Sequence, residues 1–169
     1  QGKSITVDQA IDALIIKSAN DAAIAVAEKI SGSEKAFVKK MNLIGKKIGL
    51  KNTNFANPHG LPNKSNISSA NDIFILSSEL IKQYPEYLDR FKRKKVTINS
   101  KTYKTHNKLM LSYDGADGIK TGYISASGFQ LAFSAVRKNK RLIGVYFGGD
   151  TGKQRNKSLA FLMDRSFKK

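Results

Sequence analysis

Ser18-Ala19-Asn20 and Asp117-Gly118-Ile119-Lys120-Thr121-Gly122 lie far apart in the chain, and together they hold two hydroxyls, an amide and an ammonium. That set suits acyl transfer without a catalytic histidine. A serine hydroxyl in such a site must give its proton to a group poised near neutral pH, and a lysine held close to other cations can have a depressed pKa. A second hydroxyl can relay protons. Fixed backbone N–H groups must receive the oxyanion. A peptide that ends in a carboxylate needs a cation and a hydroxyl at that end. Ser18 falls at a helix break, where its hydroxyl can point into a cleft. Asn20, two residues on, offers an amide that can hold a substrate carbonyl. Gly122 removes a side chain where a substrate backbone could approach a strand. Taken singly, each motif also has a structural reading: Ser-Ala-Asn is a common helix cap, and Lys-Thr-Gly is common in strands.

The elements that must position these groups follow from periodicity and punctuation. Thr6-Val7-Asp8-Gln9 reads as a capping box. A helix follows to about Ile16, with Ile11, Leu14 and Ile15 on one face. The chain breaks at 17–20, where Ser18 or Asn20 can cap an Ala-rich helix running to about Ile30. Ser31-Gly32-Ser33 is a stop and a new cap, and the next helix places Phe37, Met41, Ile44 and Ile48 at helical spacing before Gly49 closes it. Residues 51–68, dense in Asn, Pro and Gly, read as loop. A fourth helix starts at Ser69-Ala70-Asn71-Asp72 and stops at Pro85. Beyond residue 92 the pattern turns to strands: a hairpin about Asn99-Ser100, turns at Asp114-Gly115 and Asp117-Gly118, and a Phe129–Val136 strand that returns as Leu142–Phe147. In a flat strand Lys120 and Thr121 face opposite ways, so twist or a bulge must bring them towards one cleft. A closing helix spans about 152–167 with Leu159, Leu162, Met163 and Phe167 inward. Helices, then antiparallel strands, then a helix predict an α+β fold in a single domain over 1–169. Its helical part is about 1–90, and its sheet part and closing helix are about 91–169.

Composition narrows the function classes. The chain has 169 residues, 40% of them apolar and 25% charged, enough for one domain with a core. Its formal charge is +17, which attracts anionic partners such as nucleic acid, acidic lipid or an anionic cell wall. The crowded cations at 92–95 and 137–141 read as solvated turns, and no basic motif is interleaved with base-stacking aromatics, so no nucleic-acid partner is expected. There is no Cys, hence no disulfide or thiolate chemistry. No His/Cys/Asp cluster has metal-ligand spacing, and no cofactor is expected. His59 in its loop and His106 near a strand end lack a nucleophile-elbow serine and read as structural or surface residues. The Gly148–Lys153 segment fails as a phosphate loop because Gln154 follows the lysine.

The two motifs, in this order, are two of the three signatures of penicillin-interacting serine acyl-enzymes. The chain resembles the low-molecular-weight penicillin-binding proteins that act as serine-type D-alanyl-D-alanine carboxypeptidases. The likeness runs through Ile15–Ala23, Phe37–Leu50, Thr53–Leu61, and Asp117–Tyr123 followed by Ser127-Gly128. It implies a β-lactamase/transpeptidase-like fold, an antiparallel sheet packed with helices plus a helical subdomain. It also implies that Ser18 relays protons, that Lys120 supplies positive field and supports proton transfer, and that Asn20 binds a substrate amide. Thr121 receives the terminal carboxylate, Gly122 allows close approach, the Tyr123 N–H is half of the oxyanion hole, and Arg155 lies near the substrate carboxylate. The implied partners are peptidoglycan stem peptides and β-lactam antibiotics, and the implied location is the bacterial cell envelope, at the extracytoplasmic face of the membrane. The family's nucleophile motif, Ser-x-x-Lys, does not occur ahead of Ser18. The expectation is a catalytic domain whose N-terminal part, the upstream Ser-x-x-Lys segment, lies outside this sequence, inactive and poorly stable alone. The family's C-terminal β-domain and membrane-anchoring tail are expected outside it as well.

Two readings compete. A class A β-lactamase shares both motifs but normally has Asp between the Ser and Asn and a general-base Glu on a later loop. Here Ala19 stands between them, and residues 51–68 hold no carboxylate. From another class, a non-catalytic basic envelope protein of the same fold would bind peptidoglycan through its charged surface.

Overall fold

The computed structural model describes residues 4–169; residues 1–3 of the expected helical part lie outside the described residues. α1 spans Val7–Asp12, capped by the Thr6 and Gln9 side chains reciprocally, as the sequence predicts. The helix does not continue regularly to Ile16. A π-helical turn, Ala13–Lys17, follows and ends at Ser18, whose backbone is left-handed at φ 55°, ψ 48°. The wide turn shifts the buried positions to Ala10, Ala13 and Ile16. Leu14 and Ile15 are left lining a cavity. α2 (Asn20–Ser31) then starts without a side-chain cap: Ala19 is the cap position, not Ser18 or Asn20. Gly32 takes the left-handed stop and Ser33 caps α3 (Glu34–Lys47). The exposed face of α3 includes Ile44, while Gly45 is buried against Leu50 and Phe55.

The loop 51–68 is ordered by polar anchors. Asn42 holds Phe55 through both its amide atoms, at 2.8 Å each. Asp72, fully buried in the first turn of α4 (Ala70–Gln83), accepts from Asn52 N at 2.6 Å and Thr53 Oγ1 at 2.7 Å. Those bonds, led by the Thr53 hydroxyl, outweigh burial and hold its carboxyl below the usual range. Pro85 ends α4, and α5 (Leu88–Phe91) returns to α1. There Arg90 pairs with Asp8 and Asp12, and Arg93 joins Asp12 at 2.6 Å.

β1 (Lys95–Ile98) and β2 (Lys101–Lys104) form a hairpin whose turn residues, Asn99 and Ser100, both have positive φ. β3 (Ala116–Ile124), β4 (Gly128–Arg137) and β5 (Lys140–Gly149) make an antiparallel sheet in that order, with β3 at one edge. Asp117-Gly118 is therefore not a turn; it lies inside β3, at a register shift between Ala116 and Gly118. The turn is Gly115, where an added Cβ would stand 2.0 Å from Val136 O. Leu131, Phe133 and Ala135 project from one face of β4 onto Leu159 and Met163 of α6 (Gly152–Phe167), forming the main core. The intervening Ala132 and Ser134 are buried on the opposite face, where α4 meets β4 and β5. The inward face of α6 is Arg155, Leu159, Met163 and, partly buried, Phe167. Leu162 is not part of it: it is 52% exposed, a quarter-turn off that stripe. The sheet with helices on both faces is the expected α+β architecture.

Candidate active site

Ser18 reaches the sheet because the π turn delivers it there. The turn's wide backbone closes on Ala13, whose carbonyl accepts from both Ser18 N and Ala19 N. The left-handed Ser18 then swings the chain into α2. A non-glycine residue in that conformation costs about 1 kcal/mol or more and persists only where the surrounding structure holds it. The β1–β2 hairpin packs against the same turn, and His106 Nε2 lies 3.2 Å from Lys17 O.

Lys120 meets Ser18 at the edge of the sheet. Its Nζ donates to Ser18 Oγ at 2.8 Å and to Thr121 O at 2.9 Å. Burial penalises the ammonium and pushes its pKa down to about 8. Accepting from Lys120 leaves the Ser18 hydroxyl proton free to be donated and a lone pair free to receive another, as a proton relay requires. The register of β3 on β4 is unbroken from Gly118 to Ile124, so no bulge turns Lys120 and Thr121 to one side. Lys120 pairs with Ala132 on the α4 face, and Thr121 with Leu131 on the α6 face. What unites them is the edge itself. A cavity of about 1000 Å³ on the α4 side and one of about 850 Å³ on the α6 side share Ser18, Thr121, Gly122 and Tyr123 as lining.

Asn20 and Lys120 line the first cavity and Arg155 the second. The Asn20 amide makes no hydrogen bond among the described residues, so both its polar atoms are available to a ligand. Nothing among the described residues requires glycine at 122, where a Cβ would touch only Gln130 at an ordinary 3.6 Å. The clearance lies on the cavity side. Tyr123 is 59% exposed, with its ring 4.3 Å from that of Phe129. Arg155 is buried, donating to Gln130 O at 3.0 Å and to Asn156 Oδ1 at 2.7 and 3.0 Å. Burial lowers its pKa from the usual value. All seven candidate residues, Ser18, Asn20, Lys120, Thr121, Gly122, Tyr123 and Arg155, thus line one two-sided cleft along β3.

The sequence reading left out several residues of this cleft. His106 and Lys108 line the second cavity, and buried Asn107 between them donates from Nδ2 to Gly118 O at 3.2 Å, holding β3. His59 lines the first cavity and stands 3.6 Å from Glu34. Residues 105–108 have neither strand alternation nor helical spacing, so no local signal marks them.

The family model for D-alanyl-D-alanine carboxypeptidase, peptidase S11, matches residues 1–151. The chain belongs to this family. It is 41% identical to the D-alanyl-D-alanine carboxypeptidase DacF of Bacillus subtilis (strain 168), aligning over 98% of this chain and 44% of that protein. It is 37% identical to DacD of Escherichia coli (strain K12) over 96% of this chain and 42% of the relative. The chain therefore spans less than half the length of these curated relatives. Among solved structures, penicillin-binding protein 5 from Haemophilus influenzae superposes with a TM-score of 0.93 at 36% identity, covering 98% of this chain and 48% of that one. Penicillin-binding protein D2 from Listeria monocytogenes, in its ampicillin-bound form, gives 0.89 at 32% identity, covering 96% and 68%. The β-lactamase/transpeptidase-like architecture read from the sequence is thus the observed fold. No helix among the described residues is long and apolar enough to cross a membrane.

Proposed function

We propose that this chain forms the Ser18/Lys120 half of a serine-type D-alanyl-D-alanine carboxypeptidase that acts on peptidoglycan stem peptides through an acyl-enzyme and is acylated by β-lactams. In this reading it is one catalytic domain, completed by a Ser-x-x-Lys segment, at the extracytoplasmic face of the bacterial membrane. The observation that carries the reading is the Lys120–Ser18 hydrogen bond at the edge strand, inside a cleft lined by the other candidate groups.

The stem peptide lies along β3, its amide held by Asn20 and its terminal carboxylate by the Thr121 hydroxyl and Arg155. The nucleophilic serine attacks the penultimate carbonyl, whose oxyanion takes the Tyr123 N–H. Ser18 passes a proton towards the departing amine while the Lys120 ammonium stabilises the negative charge that develops. Water then releases the acyl group. The test is release of free D-alanine from a peptide ending in D-Ala-D-Ala by the full-length protein. Thr121→Val should raise KM and lower kcat/KM by roughly tenfold to a hundredfold, the worth of a lost hydrogen bond to a charged group. A folded protein that releases no D-alanine would overturn the reading.

A further inference from the structure

Two adjacent side chains tie together the two arms of the site. Residues 105–108 belong to no helix or strand, yet their backbone is fixed. Thr105 N donates to Lys94 O at 2.9 Å, Asn107 N to Thr105 Oγ1 at 3.2 Å and Lys108 N to His106 O at 3.0 Å. From this stretch His106 Nε2 meets Lys17 O, the carbonyl just ahead of Ser18, at 3.2 Å. Asn107 Nδ2 donates to Gly118 O, two residues ahead of Lys120, also at 3.2 Å. A carbonyl only accepts, so His106 carries a hydrogen on Nε2 in this contact. Asn107 is buried and its Oδ1 is taken by Met110 N, which locks its amide in place. His106 is exposed and makes no other side-chain hydrogen bond among the described residues. The hairpin already packs on the π turn, where Ile98 meets Ala13 and Ala22, so the turn keeps its place without the histidine. That apolar contact is non-directional and leaves the peptide between Lys17 and Ser18 unaimed. Lys17 O is the last carbonyl of the turn, a group that no later helical N–H satisfies, and His106 gives it a directional partner.

We propose that His106 and Asn107 form a bracket that sets Ser18 against Lys120, with His106 a positioning residue for the acylation step. This rests on the carboxypeptidase reading of the cleft and names a residue that reading does not use. Asn107 holds β3. His106 aims the peptide that enters the left-handed Ser18, a conformation that persists only where neighbours hold it. The two anchors are consecutive residues, so one arm cannot slide past the other without breaking a bond. His106 acts through Ser18, by keeping its Oγ at 2.8 Å from Lys120 Nζ. A displacement of about 1 Å in such a pair can cost up to about a hundredfold in rate. An exposed hydrogen bond adds little to folding, so the bracket shows in rate rather than in stability.

The rate of penicillin acylation of the full-length protein, followed against penicillin concentration, separates noncovalent affinity from the acylation rate constant. His106→Ala should lower that rate constant by about tenfold, with affinity within about twofold and the unfolding midpoint nearly unchanged. His106→Gln, which keeps an N–H donor at similar reach, should recover most of the loss. In a Ser18→Ala background His106→Ala should cost less than about twofold, because two residues that act through one contact are not additive. An alanine variant as fast as the parent, a glutamine variant as slow as the alanine one, or the same loss persisting without the Ser18 hydroxyl overturns the bracket. So does a loss confined to affinity, which would make His106 a ligand contact. In each of those cases acylation of the unaltered protein still upholds the carboxypeptidase reading. An unaltered, folded protein that is not acylated defeats both.

Discussion

Lys120 is tuned by where it sits. Its pKa near 8 comes from burial alone, whereas an ordinary lysine stays charged past pH 10. Burial disfavours the ammonium, so the charged form is full well below pH 8 and is lost as pH rises through it. If that charge stabilises the acylation transition state, the penicillin acylation rate falls on the alkaline side with a midpoint near 8. Lys120→Arg should acylate more slowly, because a planar fork replaces a compact ammonium, yet lose that alkaline limb. An Arg variant that keeps the same limb would assign it to another group. Ser18→Ala removes the oxygen that Lys120 meets at 2.8 Å, and acylation should drop by about 10²- to 10⁴-fold, the usual worth of a positioned proton-transfer group. A loss of less than about threefold would show that Ser18 is only a structural residue.

At the scale of elements, the site depends on how β3 and the π turn are held. Asn107 is buried, bonding Gly118 O through Nδ2 and receiving Met110 N at 3.2 Å. Asn107→Ala strands two buried backbone groups and should cost about 2–4 kcal/mol in denaturant unfolding, with acylation impaired as β3 loosens. Gly144 of β5 faces α6, where a Cβ would come within 2.8 Å of Leu159 Cδ1 and 3.0 Å of Met163 Sδ. Gly144→Val should therefore destabilise by about 1–3 kcal/mol through overpacking and leave the edge strand chemically intact. Much of this scaffold was legible, because caps, stops and hairpin turns are local: Thr6 with Gln9, Gly32 with Ser33 and Asn99-Ser100 all occupy their expected places. The π turn was not legible, since Ile11, Leu14 and Ile15 fit a regular helix equally well; only packing against the hairpin and α2 reveals the extra residue. The inward arginine of α6, Arg155, was named only through the family resemblance, because a charged residue on a core stripe breaks the apolar pattern from which that face is read.

Across the whole molecule, distance in sequence hides what the fold assembles. Ser18 and Lys120 could be named from their motifs, but their 2.8 Å contact and the bonds of His106 and Asn107 to the two motif arms exist only after α2, the hairpin and β3 converge. The net charge of +17 acts over the same scale. It should draw anionic β-lactams to the cleft, so the second-order acylation rate falls as salt rises from about 0.05 to about 0.5 M; a flat profile would confine the charge effect to direct contacts. If this cleft serves an acyl-enzyme, β-lactams must modify the protein covalently. The most direct test is the intact mass of the full-length protein after incubation with penicillin. A stable gain of one penicillin is expected, mapped to a Ser-x-x-Lys serine and abolished or severely slowed by loss of the Lys120 ammonium in Lys120→Ala. A folded protein that gains no mass, or gains it equally well without Lys120, would contradict it.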